Sequence, residues 1–369
     1  MTDRDYMLRA IELARGGLGW TSPNPLVGAV IVKNGRIIGE GYHERCGELH
    51  AERNAIASLT ESAEGATLYV TLEPCCHYGK TPPCTEAILE QKIARVVIGS
   101  RDPNPLVSGK GAAILRAAGV RVEEDFMREE CDALNPVFFH YITKKTPYVV
   151  MKYAMTADGK IAARTGDSKW ITGESARKKV QELRHRYMGI MAGIGTVLAD
   201  DPMLNVRIPG LKSPVRIICD SGLRIPMDSK IVKTAKEYRT IVAYAGEHSG
   251  EGCKEAEEKE EQLHTAGVET VSVPDADGRV DLGKLMEYLG KQGIDSVLLE
   301  GGGTLNDAAL SAGIVNEICA FIAPKIFGGA GAKTPVSGIG VAHPAEAVML
   351  TLRQVETIGD DLMLRYSVD

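Results

Sequence analysis

Three potential metal ligands lie in the first quarter of this 369-residue chain: His50, Cys75 and Cys84. One imidazole and two thiolates form a ligand set that zinc favours, and three protein ligands leave the fourth coordination position open for water. Glu52, two residues beyond the histidine, can accept a proton from this water and return it to a leaving amine. The pattern predicts one catalytic Zn²⁺ in the N-terminal half, with Glu52 as the acid–base residue.

The spacing around these ligands matches a known signature with one departure. His50-Ala51-Glu52 followed by Pro74-Cys75 is the arrangement found in zinc deaminases of nucleobases, in which two residues normally separate the cysteines. Here eight residues separate Cys75 from Cys84. The alternative is a closed structural zinc site with Cys76 or His77 as the fourth ligand. Such a site has no need of a glutamate two residues after its histidine.

The predicted elements place these ligands at helix starts and at a strand end. His50 precedes a predicted helix at 51–59, Cys84 begins one that continues through 85–91, and Cys75 follows a predicted strand at 66–72. Helix N-termini carry partial positive charge, which favours the thiolate form of cysteine. The order βαβαβ predicts a largely parallel sheet with helices on its faces.

The composition restricts the class of protein, and the length of the chain predicts two domains. The chain is 44% hydrophobic and carries a net charge of −6, which argues against a dedicated nucleic-acid-binding protein. No apolar run approaches the roughly 20 residues needed to span a bilayer, and no secretory segment is recognisable. Eight cysteines without an export signal indicate a reducing compartment, so we expect a cytoplasmic protein. Domains are expected at 1–145 and 146–369, joined at Lys144-Lys145-Thr146-Pro147.

The C-terminal half reads as a second α/β pattern. Strands are predicted at 148–151, 186–192, 215–219, 241–244, 296–300 and 319–323. The strand at 296–300 leads through Gly301-Gly302-Gly303 into a helix at 304–312, which could hold a phosphate on free backbone N–H groups. Such glycine-rich turns are simply tight turns about as often. A Rossmann fold is not supported, because G-x-G-x-x-G is absent from the sequence.

The first half resembles the riboflavin-biosynthesis deaminases. The similarity lies in TSPNPLVG at 21–28, GYH at 41–43, HAE at 50–52 and TLEPCCHYGKTPPC at 71–84. The long gap between the cysteines is typical of this family, which acts on a diaminopyrimidinone bearing a phosphoribosylamino group. The resemblance implies a cytidine-deaminase-like α/β/α domain whose substrate pocket is lined by Asn24, His43, His77, Lys80 and Thr81. A turn or surface role is the alternative for each of these five residues.

The second half resembles the riboflavin-specific reductases, which have a dihydrofolate-reductase-like α/β fold and use NADPH. The similarity lies in KYAMTADG at 152–159, SKWIT at 168–172, RH at 184–185, GIGTV at 193–197, DDPMLNVR at 200–207 and EGGGTLN at 300–306. The resemblance implies contacts with NADPH from Ala154, Trp170, Thr196, Asp200, Ser221, Gly302, Gly303, Thr304, Leu305 and Asn306. It implies contacts with the substrate from Lys152, Ser168, Arg184, Leu204, Arg207 and Glu300.

Physical roles can be suggested for some of these side chains. Arg184 and Arg207 can grip a phosphate with two N–H groups each, and Thr304 can cap its helix. Arg224 is a weak candidate for the 2′-phosphate of NADPH. Lys152, Asp200 and Glu300 are candidate proton donors or imine stabilisers, with ordinary salt bridges as the alternative.

Together the two resemblances predict a bifunctional deaminase and reductase of riboflavin biosynthesis. We expect a small phosphoribosyl pyrimidine substrate, a homo-oligomer (dimer or tetramer), and neither nucleic acid nor membrane as a partner. One alternative is a zinc deaminase of another nucleobase or nucleoside with an inactive second domain. Another is a zinc-stabilised RNA-binding protein, which the acidic charge disfavours.

Overall fold

The computed structural model describes residues 1–78, 82–105, 107–246 and 253–369. The chain forms two compact units, Met1–Lys145 and Thr146–Asp369. Each unit has its own sheet. In the described part of the chain, no helix combines the length and the apolar character needed to cross a membrane.

Among its described residues, the first unit has five strands and six α-helices. Its strands are β1 (Gly28–Lys33), β2 (Arg36–Tyr42), β3 (Thr67–Leu72), β4 (Arg95–Ser100) and β5 (Arg121–Glu123). Its helices are α1 (Asp3–Ala14), α2 (Ala51–Ala57), α3 (Cys84–Glu90), α4 (Lys110–Ala117), α5 (Arg128–Asp132) and α6 (Pro136–Lys144). Asn34-Gly35 forms the turn of the β1–β2 hairpin, as this dipeptide between apolar runs predicts.

The strand order of this sheet is β2-β1-β3-β4-β5, and the expectation of a largely parallel sheet is only partly correct. Strands β3, β4 and β5 are mutually parallel, whereas β1 is antiparallel to both β2 and β3. Strands β2 and β3 therefore run in the same direction with β1 between them. The connection through α2 crosses β1, so the order of elements along the chain differs from their order in the sheet.

Alternating side chains of the strands pack against helices on two faces of this sheet. Val30 shares a core with Met7 and Ala10 of α1, whereas Ile31 shares one with Ala51 of α2. Because neighbouring strand residues point to opposite faces, α1 and α2 cover different sides. This is the predicted α/β/α layering.

Residues 128–144 form two helices with a break between them. Helix α5 ends at Asp132 and α6 begins at Pro136, because proline lacks the N–H that a continuous helix requires. The side chain of Asn135 instead accepts the N–H of Leu26 at 2.7 Å and donates to its carbonyl at 2.8 Å. Cys131 is fully buried.

In the part of the second unit that the structure describes, there are nine strands and six α-helices. Its strands are β6 (Tyr148–Thr156), β7 (Gly189–Gly193), β8 (Val215–Cys219), β9 (Thr240–Tyr244), β10 (Val268–Ser272), β11 (Ser296–Leu299), β12 (Val315–Ala323), β13 (Leu350–Ile358) and β14 (Asp361–Val368). Its helices are α7 (Glu174–Arg186), α8 (Ile194–Asp200), α9 (Lys230–Lys233), α10 (Cys253–Thr265), α11 (Leu282–Lys291) and α12 (Gly303–Ser311).

The strand order is β10-β9-β8-β7-β11-β6-β12-β14-β13. The seven strands from β10 to β12 are parallel, and the final hairpin is antiparallel. The strand predicted at 186–192 begins too early, because Arg186 is the last residue of α7. The apolar residues of α11, at Leu282, Leu285, Met286 and Leu289, recur at helical spacing and are buried.

Parallel pairing brings the carboxyl ends of β8, β7, β11 and β6 to one edge of this sheet. Open α/β sheets bind ligands at this edge. Gly193 is the last residue of β7, and Glu300 directly follows β11. Glu300, one of the predicted substrate residues, therefore lies at the edge where ligand binding is expected.

Candidate active sites

The three predicted metal ligands come together in the first unit. His50 is the N-cap of α2, Cys84 is the first residue of α3, and Cys75 lies beyond the end of β3. The Nδ1 atom of His50 is 3.4 Å from the Sγ atom of Cys75 and 3.4 Å from that of Cys84. All three ligand atoms lie within 4.8 Å of one another. One imidazole and two thiols converging on one point form a donor set that fits zinc.

The two thiols occupy different electrostatic environments. A hydrogen bond from the Cys84 thiol lowers the pKa of Cys75, and so do His50 and the backbone N–H of Cys84, whose nitrogen is 3.3 Å from the sulfur. The pKa of Cys84 is raised by the hydrogen bond that its thiol donates to Cys75, by burial and by the negative charge of nearby Glu52. The start of α3 thus supports a thiolate at Cys75.

Glu52 lies in the first turn of α2, and its side chain is buried. Burial, with a contribution from the negative charge of Cys75, raises its pKa to about 7. A carboxyl group with this pKa can accept or release a proton near neutral pH. Its position and its pKa are those of a general acid–base beside the three metal ligands.

A cavity of about 510 Å³ opens over this cluster. His50, Glu52 and Cys75 line it together with three of the predicted substrate-binding residues, Asn24, His43 and His77. The other two, Lys80 and Thr81, lie outside the described residues, so their role stays a prediction.

Hydrogen bonds orient His43 within the cavity wall. Its Nδ1 lies 3.0 Å from the carbonyl oxygen of Leu49, and its Nε2 lies 3.2 Å from the side-chain nitrogen of Asn24. The first contact requires a proton on Nδ1, so Nε2 accepts from the amide of Asn24. Burial lowers the pKa of His43 and favours this neutral form. The Nδ1 of His77 is buried and has no hydrogen-bond partner among the described residues.

Several lining residues were not singled out by the sequence analysis, among them Glu73, Asp102, Asn104 and Phe138. Asp102 follows β4, the neighbour of β3, and accepts the N–H of Asn104 at 2.8 Å. Burial raises its pKa to about 6. The rule that ligands bind beyond the carboxyl ends of parallel strands could have indicated Asp102.

In the second unit, Glu300 forms a partly enclosed ion cluster with Arg184 and Lys152. Arg184 donates to its two oxygens at 2.7 and 3.1 Å, and the Nζ atom of Lys152 is 3.5 Å away. All three side chains are only 12–13% exposed. Burial opposes the charge of Glu300, but the two cations outweigh it and lower its pKa to about 2. Glu300 is therefore a fixed anion.

The contacts of Asp200, Arg184 and Arg224 can be compared with the roles predicted for them. Asp200 is exposed and lies 3.8 Å from Lys169, whereas the described contacts of Glu300 are with Lys152 and Arg184. The guanidinium of Arg184 also donates to the carbonyl of Asn205 at 3.1 Å, so each of its three nitrogens makes one of the described hydrogen bonds. Arg224 lies 3.8 Å from Asp220.

The glycine turn after β11 leads into α12, as predicted. The N-cap is Gly302 and has no side-chain cap, so the expectation that Thr304 caps this helix is wrong. Thr304 lies within the first turn and is exposed. A Cβ atom at Gly302 would be 4.0 Å from the Oγ1 of Thr196 in α8. The first turns of α8 and α12 therefore lie side by side, an arrangement suited to phosphate groups.

The remaining predicted cofactor and substrate residues differ in exposure and in their contacts. Trp170 is 58% exposed and stacks with the guanidinium of Arg177, 4.7 Å from the ring centre. Asn306 is fully buried and donates to the carbonyl of Pro335 at 2.8 Å. The further positions are half-buried Ala154, Ser168, Ser221, Gly303 and Leu305, buried Leu204 and exposed Arg207.

Comparison with known proteins supports the two-part reading. A family described as "RibD C-terminal domain" matches residues 147–364, and one described as "Cytidine and deoxycytidylate deaminase zinc-binding region" matches residues 1–100. The chain is 58% identical to the "Riboflavin biosynthesis protein RibD" of Actinobacillus pleuropneumoniae, covering 100% of this chain and 96% of the relative. It is 42% identical to the Aquifex aeolicus protein of the same name, covering 99% and 98%.

Solved structures agree over the whole length. Acinetobacter baumannii RibD superposes with a TM-score of 0.86 at 37% identity, covering 100% of this chain and 99% of that one. A Thermotoga maritima protein described as a diaminohydroxyphosphoribosylaminopyrimidine deaminase/5-amino-6-(5-phosphoribosylamino)uracil reductase superposes with a TM-score of 0.86 at 39% identity. It covers 99% of this chain and 98% of its own.

Fold, site and relatives define a two-domain enzyme in which a cytidine-deaminase-like domain precedes an α/β reductase domain. The chain belongs to the RibD family of bifunctional riboflavin-biosynthesis enzymes. It is a deaminase and a reductase, and its cofactors are Zn²⁺ and NADPH. The expected family, fold class and cofactors are confirmed, and a deaminase with an inactive second domain is not favoured.

Proposed function

We propose that residues 1–145 deaminate 2,5-diamino-6-(5-phosphoribosylamino)pyrimidin-4(3H)-one and that residues 146–369 then reduce the ribosyl group of the product to a ribityl chain. The observation that carries the first assignment is the convergence of His50, Cys75 and Cys84 beside buried Glu52 in one cavity. The substrate is the one indicated by the description of the Thermotoga maritima relative.

In the deaminase site, His50, Cys75 and Cys84 hold the zinc ion. When bound, zinc lowers the pKa of a coordinated water molecule towards neutrality. Glu52 accepts a proton from the attacking water and delivers it to the departing amine, a role supported by its pKa of about 7.

The pyrimidine and its phosphate require separate recognition. The ordered pair of Asn24 and His43 supports contacts with the pyrimidine edge. The buried, unpartnered Nδ1 of His77 supports a further polar contact. Lys80 and Thr81 are proposed to bind the phosphate, on the basis of their chemistry alone.

In the reductase site, the adjoining first turns of α8 and α12 support binding of the NADPH phosphates. We propose that the cofactor is contacted by Ala154, Trp170, Thr196, Asp200, Ser221, Gly302, Gly303, Thr304, Leu305 and Asn306. We propose that the substrate is contacted by Lys152, Ser168, Arg184, Leu204, Arg207 and Glu300. The compact Lys152–Arg184–Glu300 cluster supports the placement of the reacting sugar beside it.

We further propose a cytoplasmic homo-oligomer that assembles through β13. This strand is at the end of the sheet order and exposes Leu350, Leu352 and Val355. A second copy of the same face would remove this apolar surface from water. All seven cysteine side chains that the structure describes are free thiols, which supports a reducing compartment.

The deaminase assignment is tested with Glu52→Gln, which keeps the shape of the side chain and removes its acid–base function. The variant is expected to retain zinc, measured by elemental analysis, and to lose 10²- to 10⁴-fold or more of deamination, measured by product mass. NADPH-dependent reduction of supplied deaminated product should be unchanged. Glu12→Gln, at an exposed site on α1, is the matched control. Deamination at the wild-type rate by Glu52→Gln would refute the proposed role.

A further inference from the structure

Arg53 links two elements that carry metal ligands. It lies in the first turn of α2, one residue after Glu52, and its guanidinium reaches the start of α3. The Nε atom donates to the carbonyl of Pro82 at 3.2 Å, and the Nη2 atom donates to that of Pro83 at 3.0 Å. The next residue in the chain is Cys84.

The chain entering α3 is held by hydrogen bonds to Cys75 and to the side chain of Arg53. Prolines have no backbone N–H, so Pro82 and Pro83 offer only carbonyl oxygens for hydrogen bonds. The N–H of Cys84 points to the sulfur of Cys75 at 3.3 Å, and the N–H of Thr85 donates to the carbonyl of Cys75 at 3.2 Å. The N–H groups of Cys84 and Thr85 thus connect α3 to Cys75. The side chain of Arg53 connects the segment before α3 to α2.

One turn of α2 therefore presents three functional groups. His50 is the N-cap, Glu52 faces the cavity, and Arg53 holds the segment that precedes Cys84. Because a helical turn fixes the spacing of its residues, the hydrogen bonds of Arg53 link the position of the chain just before Cys84 to that of His50.

We propose that Arg53 is a positioning residue for the zinc site, one that holds Cys84 close enough to His50 for both side chains to bind one metal ion. This inference rests on the proposed deaminase function. Arg53 is not among the residues that line the cavity, so it acts through Cys84 and not on the substrate. Arginine suits this role because its planar fork offers two N–H groups at fixed spacing, whereas the single ammonium of lysine does not.

The test measures zinc retention in the full-length protein. Zinc-loaded wild type, Arg53→Met and Arg53→Lys are mixed with a chromogenic chelator, and the rate of zinc release is followed by absorbance. We expect release about tenfold faster from Arg53→Met, in the range found when a group supporting a metal ligand is removed, and an intermediate rate from Arg53→Lys. Arg36→Met is the matched control, because Arg36 is exposed and pairs with Glu61 instead.

Melting temperatures separate positioning from general stabilisation. If Arg53 positions a ligand, Arg53→Met reduces the difference in melting temperature between zinc-loaded and zinc-stripped protein. A variant that lowers both temperatures equally, or that releases zinc at the wild-type rate, overturns the inference. Arg53→Lys permits the same comparison if Arg53→Met does not fold.

A control on His50 distinguishes failure of this inference from failure of the proposed function. If wild type binds one zinc ion and His50→Ala abolishes this binding, the zinc site stands whatever Arg53 does. If wild type holds no zinc, or His50→Ala holds it equally well, the proposed function and this inference both fall.

Discussion

Replacing Glu300 by glutamine tests the electrostatics of the second unit. The carboxylate accepts two hydrogen bonds from Arg184 and lies 3.5 Å from the Nζ atom of Lys152. Glutamine has nearly the same shape but no charge, so Glu300→Gln leaves two cations close together at a site that is only 12–13% exposed. Unpaired charge in such surroundings is destabilising.

Two independent estimates give the size of this effect. Although burial opposes ionisation, Arg184 and Lys152 lower the pKa of Glu300 from 4.5 to about 2, which corresponds to about 3 kcal/mol of folding free energy. Breaking a buried ion pair by removing one partner costs about 3–5 kcal/mol. For a unit of this size, a loss of 3 kcal/mol lowers the melting temperature by about 6–12 °C.

Scanning calorimetry of the full-length variant measures this loss, with Glu269→Gln as the control. Glu269 pairs with Arg239 at the surface, where the side chains are 44% and 39% exposed, so its loss should cost less than about 1 kcal/mol. The pH dependence supplies a second check. Because the pKa of Glu300 is lowered by folding, its stabilisation is fully present above pH 4.5 and disappears as the pH falls towards about 2.

The gap between wild type and Glu300→Gln should therefore narrow on acidification below pH 4.5. The reasoning would be wrong if the two proteins melted within about 2 °C of each other at pH 7. It would also be wrong if the gap were the same at every pH.

Two further predictions concern packing and assembly. Gly28→Ala should lower the stability of the first unit by about 3 kcal/mol or more, because the added Cβ would lie 1.9 Å from the carbonyl oxygen of Ala10. Gly195→Ala, which meets no described heavy atom within 4 Å, is the control, and equal melting temperatures for both variants would contradict the packing. Val355→Glu should shift the molar mass measured by light scattering towards the monomer, whereas Ile114→Glu, another exposed apolar site, should not. An unchanged mass for Val355→Glu would exclude β13 from the interface.

The metal cluster was predictable because its signals are local. A histidine before one helix, a cysteine at the start of another and a cysteine after a strand are each readable over a few residues. Parallel pairing of β3 and β4 then brings the strand ends together. The position of β1 between β2 and β3 was not predictable, since the periodicity of a strand identifies its faces but not its neighbours.

Other features depend on long-range contacts or on backbone conformation. Arg184 and Glu300 are 116 residues apart in sequence, and nothing local to either indicates their pairing. Threonine is the better N-cap by residue type, yet extended backbone at Gly302, with φ −80° and ψ 173°, makes the glycine the cap of α12. The β13–β14 hairpin was missed because β13 is exposed along most of its length and lacks a clear buried face.

Each unit has a glutamate that is largely removed from solvent, and the pKa values of the two carboxyl groups are shifted in opposite directions. This contrast narrows the choice of proton donor for the reduction. Burial is the largest effect on Glu52 and raises its pKa to about 7, although nearby His50 opposes the rise, so Glu52 can exchange a proton at neutral pH. Glu300 faces two cations, and its pKa of about 2 means that it carries no proton to give. Asp200 is exposed and near Lys169. Of the three candidates, Lys152 is the one whose side chain offers N–H groups beside Glu300, so we infer that Glu300 holds Lys152 in place and that Lys152 supplies the proton.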